Sequence, residues 1–274
     1  MPFTVNKGVR LHWDEKGQGT PVLLVMGHRY SSAMWYPMIP ILAADHRVVW
    51  FDNRGTGESD STRKATIEDL ANDAFAVMDA AGIERAHLFG VSMGGGIVLE
   101  MAMRHPERVI SLLPGCTGML TAEKPRMPAF MRALYYLPPS MLKLLMRGGQ
   151  ADHGYGSAAN LDAVAVDQAV LAKDKFVVSG VVAQAAAIAA YGTTKEAVAK
   201  LTMPSLVIHG DEDHTVPFQW GVELAETLPN SRFLKVEGAG HNFLVAGGEP
   251  TRKIIADFIN EIDQRDAAAA TGRP

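Results

Sequence analysis

Cysteine is almost missing from this chain. Cys116 is the only one in 274 residues, so no internal disulfide can form and the composition fits a reducing compartment. No run of lysines and arginines builds a basic stripe, and the net charge is only -4, which argues against a nucleic-acid ligand. The opening "MPFTVNKGVRLHWDEKG" lacks the apolar segment behind a basic start that marks export, and the expectation is a cytoplasmic protein. Long hydrophobic runs are also absent. The most membrane-like stretch, "FVVSGVVAQAAAIAAYG" at 176–192, is mostly small residues and is interrupted by Ser179, Gly180 and Gln184, so it predicts a buried or amphipathic helix rather than a span. The cluster "HGDEDH" has no recognisable metal-ligand spacing, and no glycine fingerprint with a lysine marks a phosphate loop.

What is present is an ordinary globular composition, 47% hydrophobic and 20% charged, in a length that suits one α/β domain carrying an insertion. Apolar runs without alternation recur: "PVLLVMG", "RVVWFD", "AHLFGVS", "RVISLLPG", "PSLVIHG" and "SRFLKVEG". Strands of this kind are covered on both faces, as in a parallel sheet between helices. The first of them is preceded by a further strand at 10–16. Helical segments lie between the strands. In "TIEDLANDAFAVMDAAG", Thr66 is a cap, Asp69 sits three residues on, apolar residues recur at helical spacing and Gly82 ends the element. Alternating strand and helix predicts a mostly parallel, doubly wound sheet. The alternation fails between 119 and 199, where a helical insertion is expected.

The stretch "HLFGVSMGGGIVL" packs glycines around Ser92 between two apolar runs. A strand that ends in Gly-x-Ser-x-Gly and opens into a helix is a nucleophile elbow, a turn so tight that Gly90 and Gly94 are required and the serine is presented above the sheet. Gly95 and Gly96 are expected to let the helix sit close to the sheet. A serine hydroxyl needs a base, and the base needs an orienting carboxylate. In chain order these should follow a late strand and then the last strand. "DEDHTVP" and "GAGHN" stand there, which nominates His241 as base, expected on a mobile or exposed loop, and leaves Asp211, Glu212 and Asp213 as the possible acids. Cys116 is expected to be a small buried residue.

Taken together, "VLLVMG", "FDNRGTGESD", "GVSMGG", "PSLVIHGDEDHTVP" and "GAGH" resemble the α/β-hydrolase superfamily, from about residue 10 to 265 and on its serine esterase and enol-lactonase side. The resemblance implies the α/β-hydrolase fold, with a core of 1–118 and 200–274 and a helical lid at 119–199 inserted after the sixth strand. It selects Asp213, three residues after Gly210, as the acid, so that Ser92, Asp213 and His241 form the catalytic set. It also implies an oxyanion hole from the backbone N–H groups of His28 and Met93, although Met26 replaces the family's usual histidine before Gly27. Whether the His28 ring faces the pocket stays open. Asp52 and Arg54 are expected to brace the neighbouring turn.

The implied activity is hydrolysis of a carboxylic ester or lactone of a small to medium, partly apolar substrate through an acyl-enzyme, with neither metal nor cofactor. An aspartate would stand at the elbow in dehalogenases and epoxide hydrolases. Carbon-carbon bond hydrolases and cofactor-free perhydrolases share the triad, and a ligand-binding sensor could share the fold. Activity should fall as His241 protonates, near the ordinary histidine value of about 6.5. The expected partner is the small-molecule substrate, with no nucleic acid and no membrane.

Overall fold

The structure, a computed structural model, describes residues 2–119 and 154–271. Its centre is an eight-stranded sheet in the order β1-β2-β4-β3-β5-β6-β7-β8. The strands are β1 (Phe3–Asn6), β2 (Val9–Lys16), β3 (Pro21–Val25), β4 (Arg47–Phe51), β5 (Ala86–Val91), β6 (Val109–Gly115), β7 (Ser205–Gly210) and β8 (Ser231–Val236). β2 pairs antiparallel with both β1 and β4, and every later pairing is parallel. The short β1 was not expected: "FTVN" alternates exposed and half-buried residues and lies on the sheet edge, so it carries little of the burial signal that marks the other strands.

The unalternating runs are explained by a core on each face of the sheet. Along β3, Leu23 and Val25 pack with the helices α2 (Ile67–Ala80) and α3 (Met93–Arg104), while Val22 and Leu24 pack with α1 (Ile39–Leu42) and the C-terminal α9 (Gly248–Thr271). α2 starts as its sequence predicts. Thr66 accepts from the Asp69 N–H, the Asp69 carboxylate answers the Thr66 N–H, and Gly82 follows in the left-handed region at φ 66°.

Between β6 and β7 the described residues form α4 (Leu161–Leu171), α5 (Val178–Ala190) and the short α6 (Lys195–Val198). α5 is the helix expected from "FVVSGVVAQAAAIAAYG". Residues 120–153 of the expected lid lie outside the described residues. The chain closes with α7 (Phe218–Thr227), α8 (Phe243–Ala246) and α9. Among the described residues, no helix is long and apolar enough to cross a membrane.

The topology itself selects a location for chemistry. From β3 the chain crosses to β4 on one side, and β5 then returns to pair on the other. Open parallel sheets bind ligands beyond the carboxyl ends of the strands at such a switch point. Gly27 and His28 leave β3 there, and Ser92 leaves β5 beside them.

Candidate active site

Ser92 sits between β5 and α3 with φ 56° and ψ -119°, a conformation that a side-chain-bearing residue holds only under constraint. The constraint is visible at its neighbours. A Cβ on Gly90 would lie 2.2 Å from the Gly94 carbonyl oxygen, and one on Gly94 would lie 2.0 Å from the Val25 carbonyl oxygen. Backbone therefore occupies the space a side chain would need. Gly95 is also tight, its Cβ position being 2.5 Å from Thr117 Cγ2, but Gly96 meets nothing nearer than Tyr191 at 3.9 Å. Gly96 is thus not needed for close packing, contrary to the expectation for it. Gly94→Ala should cost more than about 3 kcal/mol of stability while Gly96→Ala is tolerated, as measured by denaturant unfolding; equal midpoints would contradict this packing.

The loop after β3 lies directly against the serine. A Cβ on Gly27 would stand 3.2 Å from Ser92 Cβ, so a side chain there would push the "MGHR" backbone and the serine apart by a few tenths of an ångström. The Asn53 amide donates to the Met26 carbonyl at 2.9 Å and fixes the start of this loop. The His28 ring is anchored on the insertion: its Nε2 donates to the Val181 carbonyl on α5 at 3.0 Å. Burial drives its pKa down to about 4, so this imidazole is neutral and contributes no charge. Met93 opens α3, where the first N–H groups lack intrahelical partners and the positive end of the helix dipole lies.

Asp52 and Arg54 brace their turn. Asp52 accepts from the Ser32 N–H and hydroxyl, from His12 Nδ1 and from the Glu58 N–H. Arg54 forms a two-pronged pair with Asp73 at 2.6 and 2.7 Å.

The three late carboxylates separate cleanly. Asp211 accepts from the Gly238 N–H and Glu212 from the Ser157 N–H and hydroxyl, whereas Asp213 Oδ2 accepts from His241 Nδ1 at 2.7 Å. Asp213 Oδ1 accepts from the N–H groups of Thr215 and Val216, and a second histidine, His209, whose Nε2 donates to the Val216 carbonyl at 3.1 Å, stands 3.3 Å from Oδ2. Burial alone would raise the Asp213 carboxyl; the hydrogen bonds from His209, His241 and Val216 outweigh it and hold the group well below the usual carboxylate range. It stays ionised.

His241 does not lie on a freely exposed loop. Its side chain is 22% exposed, and the N–H groups of its neighbours Gly240 and Asn242 donate to the Tyr155 and Gly154 carbonyls at 2.7 and 2.6 Å. Asn242 and Tyr155 are in turn tied to the buried Asp167 of α4. Cys116, expected only as a packing residue, is buried and lies close enough to the His241 ring to act on its protonation. Among the described residues Ser92 Oγ has no hydrogen-bond partner, so the structure joins Asp213 to His241 while Ser92 and His241 are not yet bonded to each other. The strand ends still bring them to one edge: Ser92 N–H donates to the Gly115 carbonyl and Cys116 N–H to that of Ile208.

Burial works against protonating His241, but the Cys116 contact and the Asp213 carboxylate outweigh it and hold the imidazole above its ordinary value. A base with a raised pKa is neutral only above that pKa. The acid limb of kcat/KM should therefore fall above, not at, pH about 6.5, and a profile flat down to pH about 6 would exclude His241 as base.

Sequence reasoning did not single out His209 or the Cys116 contact. The signal for Cys116 was positional, since it follows β6 as Ser92 follows β5 on the adjacent strand. His209 stood in the open as the penultimate residue of "PSLVIHG". Among the described residues, no group of three or more His, Cys, Asp or Glu side chains is arranged to hold a metal ion.

Comparison with known proteins agrees with this architecture. A family described as the alpha/beta hydrolase fold matches residues 20–135, and one described as TAP-like protein matches 182–268. A protein of Azorhizobium caulinodans provisionally named carbamate hydrolase RutD is 29% identical over 96% of this chain and all of its own length. The 2-hydroxymuconate semialdehyde hydrolase of Pseudomonas sp. strain CF600 is also 29% identical, over 93% of this chain and 92% of its own. An esterase from Thermogutta terrifontis superposes with a TM-score of 0.84 at 24% identity, covering 95% of this chain and 97% of that one. The elbow, the strand order and these matches together place the chain in the α/β-hydrolase superfamily, among its hydrolases.

Proposed function

We propose that this chain is a serine hydrolase that cleaves a carboxylic ester or lactone of a small to medium, partly apolar substrate through an acyl-enzyme. The observation that carries this reading is the 2.7 Å hydrogen bond from His241 Nδ1 to Asp213, at the sheet edge where the strained elbow presents Ser92. In this reading Asp213 fixes the tautomer with the proton on Nδ1, which leaves Nε2 to take the Ser92 proton once substrate draws Oγ into reach. Oγ attacks the carbonyl carbon. The resulting oxyanion is stabilised by the N–H groups of His28 and Met93, each worth about 3 kcal/mol. The imidazolium returns its proton to the departing alkoxide, and the acyl group stays on Ser92. Water, deprotonated by His241, then attacks the acyl carbon, and the proton goes back to Oγ as the acid is released.

The chain between β6 and β7, 119–199, acts here as the lid that shapes the substrate site, and the cytoplasm is the proposed location. A relative provisionally named for carbamate hydrolysis supports attack on an acyl-type carbonyl. The relative named as a 2-hydroxymuconate semialdehyde hydrolase favours a second reading, carbon-carbon cleavage by the same residues. Comparing p-nitrophenyl esters from acetate to octanoate with a vinylogous diketone separates the two. Faster ester turnover supports the esterase reading, and faster diketone cleavage replaces it with the second.

A further inference from the structure

We infer that Gln184, on α5, is a positioning residue for the oxyanion-hole amide of His28. The inference rests on the serine-hydrolase reading above. The loop that would supply this amide is "MGHR", and its last residue, Arg29, has φ 70°, which a residue with a side chain keeps only where its surroundings impose it.

The surroundings are on α5. Arg29 N–H donates to Gln184 Oε1 at 2.9 Å, and Gln184 Nε2 donates to the Arg54 carbonyl at 2.9 Å. The amide has one orientation only, because its oxygen faces a donor and its nitrogen faces an acceptor. Gln184 is fully buried, so neither bond is replaced by water. One turn earlier on the same helix face, the Val181 carbonyl receives His28 Nε2. The ring of His28 and the N–H that follows it are therefore both directed at α5. Together these bonds fix the His28–Arg29 peptide and the His28 side chain, both attached at His28 Cα, and so restrain the adjoining Gly27–His28 peptide, which carries His28 N–H, beside the point where Gly27 abuts Ser92.

α5 is itself held in place. A Cβ on Gly180 would lie 2.4 Å from Gly55 Cα, so the two backbones touch, and Val177 N–H donates to the Gly55 carbonyl at 2.8 Å. The same turn reaches Met26 through Asn53. The loop is thus gripped at Met26 by the core and at Arg29 by Gln184 of the insertion. Loss of the second grip leaves the donor present but free to turn, which lowers transition-state binding without removing a substrate contact.

The test uses the full chain with Gln184→Met, which keeps the volume but neither hydrogen bond, and Gln184→Glu, whose carboxyl, in the protonated form that full burial favours, accepts from Arg29 N–H and donates to the Arg54 carbonyl. The expected result for Gln184→Met is a kcat lower by about tenfold with KM within about twofold, a matching loss of affinity for a boronic acid, and faster exchange of the Arg29 amide. Gln184→Glu should recover most of the kcat, and it keeps the test decisive if the Met variant does not fold. A lower thermal midpoint with kcat and boronate affinity unchanged, or an unchanged Arg29 exchange rate, would overturn the inference. Wild-type turnover that survives Ser92→Ala would instead overturn the underlying reading, and the Arg29 exchange data distinguish the two failures.

Discussion

Ser92→Ala should abolish turnover, lowering kcat by about six orders of magnitude, and leave the fold intact. Both halves of this expectation follow from the elbow. The strain at Ser92, φ 56°, belongs to the backbone and is imposed by the packing around Gly90 and Gly94, which alanine at position 92 does not disturb. The hydroxyl has no hydrogen-bond partner among the described residues, so removing it leaves no orphaned group. The stability change should stay within about 0.5 kcal/mol, as for substitutions that touch no structural feature. A group expected to cost nothing structurally to remove, yet held in a strained turn at the switch point, is proposed to have its rationale in chemistry. The check is ester hydrolysis beside a denaturant titration. Activity retained above about one percent in a folded variant would remove Ser92 from the mechanism.

Asp213→Asn should cost about four orders of magnitude in kcat through the tautomer of the base rather than through position. Asparagine can still accept at Oδ1 from the Thr215 and Val216 N–H groups, so the loop keeps its shape. Its amide nitrogen would stand where Oδ2 now receives His241 Nδ1, 3.3 Å from His209 Nε2. A donor there favours the His241 tautomer with its proton on Nε2, the nitrogen that must be empty to take the serine proton. His209 keeps its bond to the Val216 carbonyl at 3.1 Å and absorbs the change locally. The raised acid limb should also move down, because the ionised carboxylate that favours imidazolium is gone. A kcat within tenfold of wild type, measured with saturating ester across the pH range, would contradict the role given to Asp213.

How much of this was legible beforehand depends on the range of the signal. Runs such as "PVLLVMG" reveal the buried strands because burial on both faces is written locally, and the capping box at Thr66 and Asp69 is contained in four residues. The elbow was legible for the same reason, since Gly90 and Gly94 answer to atoms within a few residues or on the adjacent strand. Chain order was enough to nominate Asp213 and His241, and the fold brings those two together. Contacts across large separations were not legible. Gln184 meets Arg29 across 155 positions, and the His28 ring meets Val181 across 153. Nothing local in an alanine-rich helix distinguishes a glutamine that bridges two loops from one that faces water. The His241 loop looked mobile because it is glycine-rich, yet Gly154 and Tyr155 hold it from the distant insertion. The edge strand β1 escaped for the opposite reason, being too short and exposed to leave a pattern.

The central claim, that Ser92 is the activated nucleophile of this fold, is tested most directly by covalent capture. The intact chain is treated with a fluorophosphonate, which labels only an activated serine, and the modified peptide is located by mass spectrometry. The account predicts one adduct on Ser92, absent from Ser92→Ala and formed much more slowly in Asp213→Asn. A folded chain that takes no label, or takes it at another serine, would contradict the account.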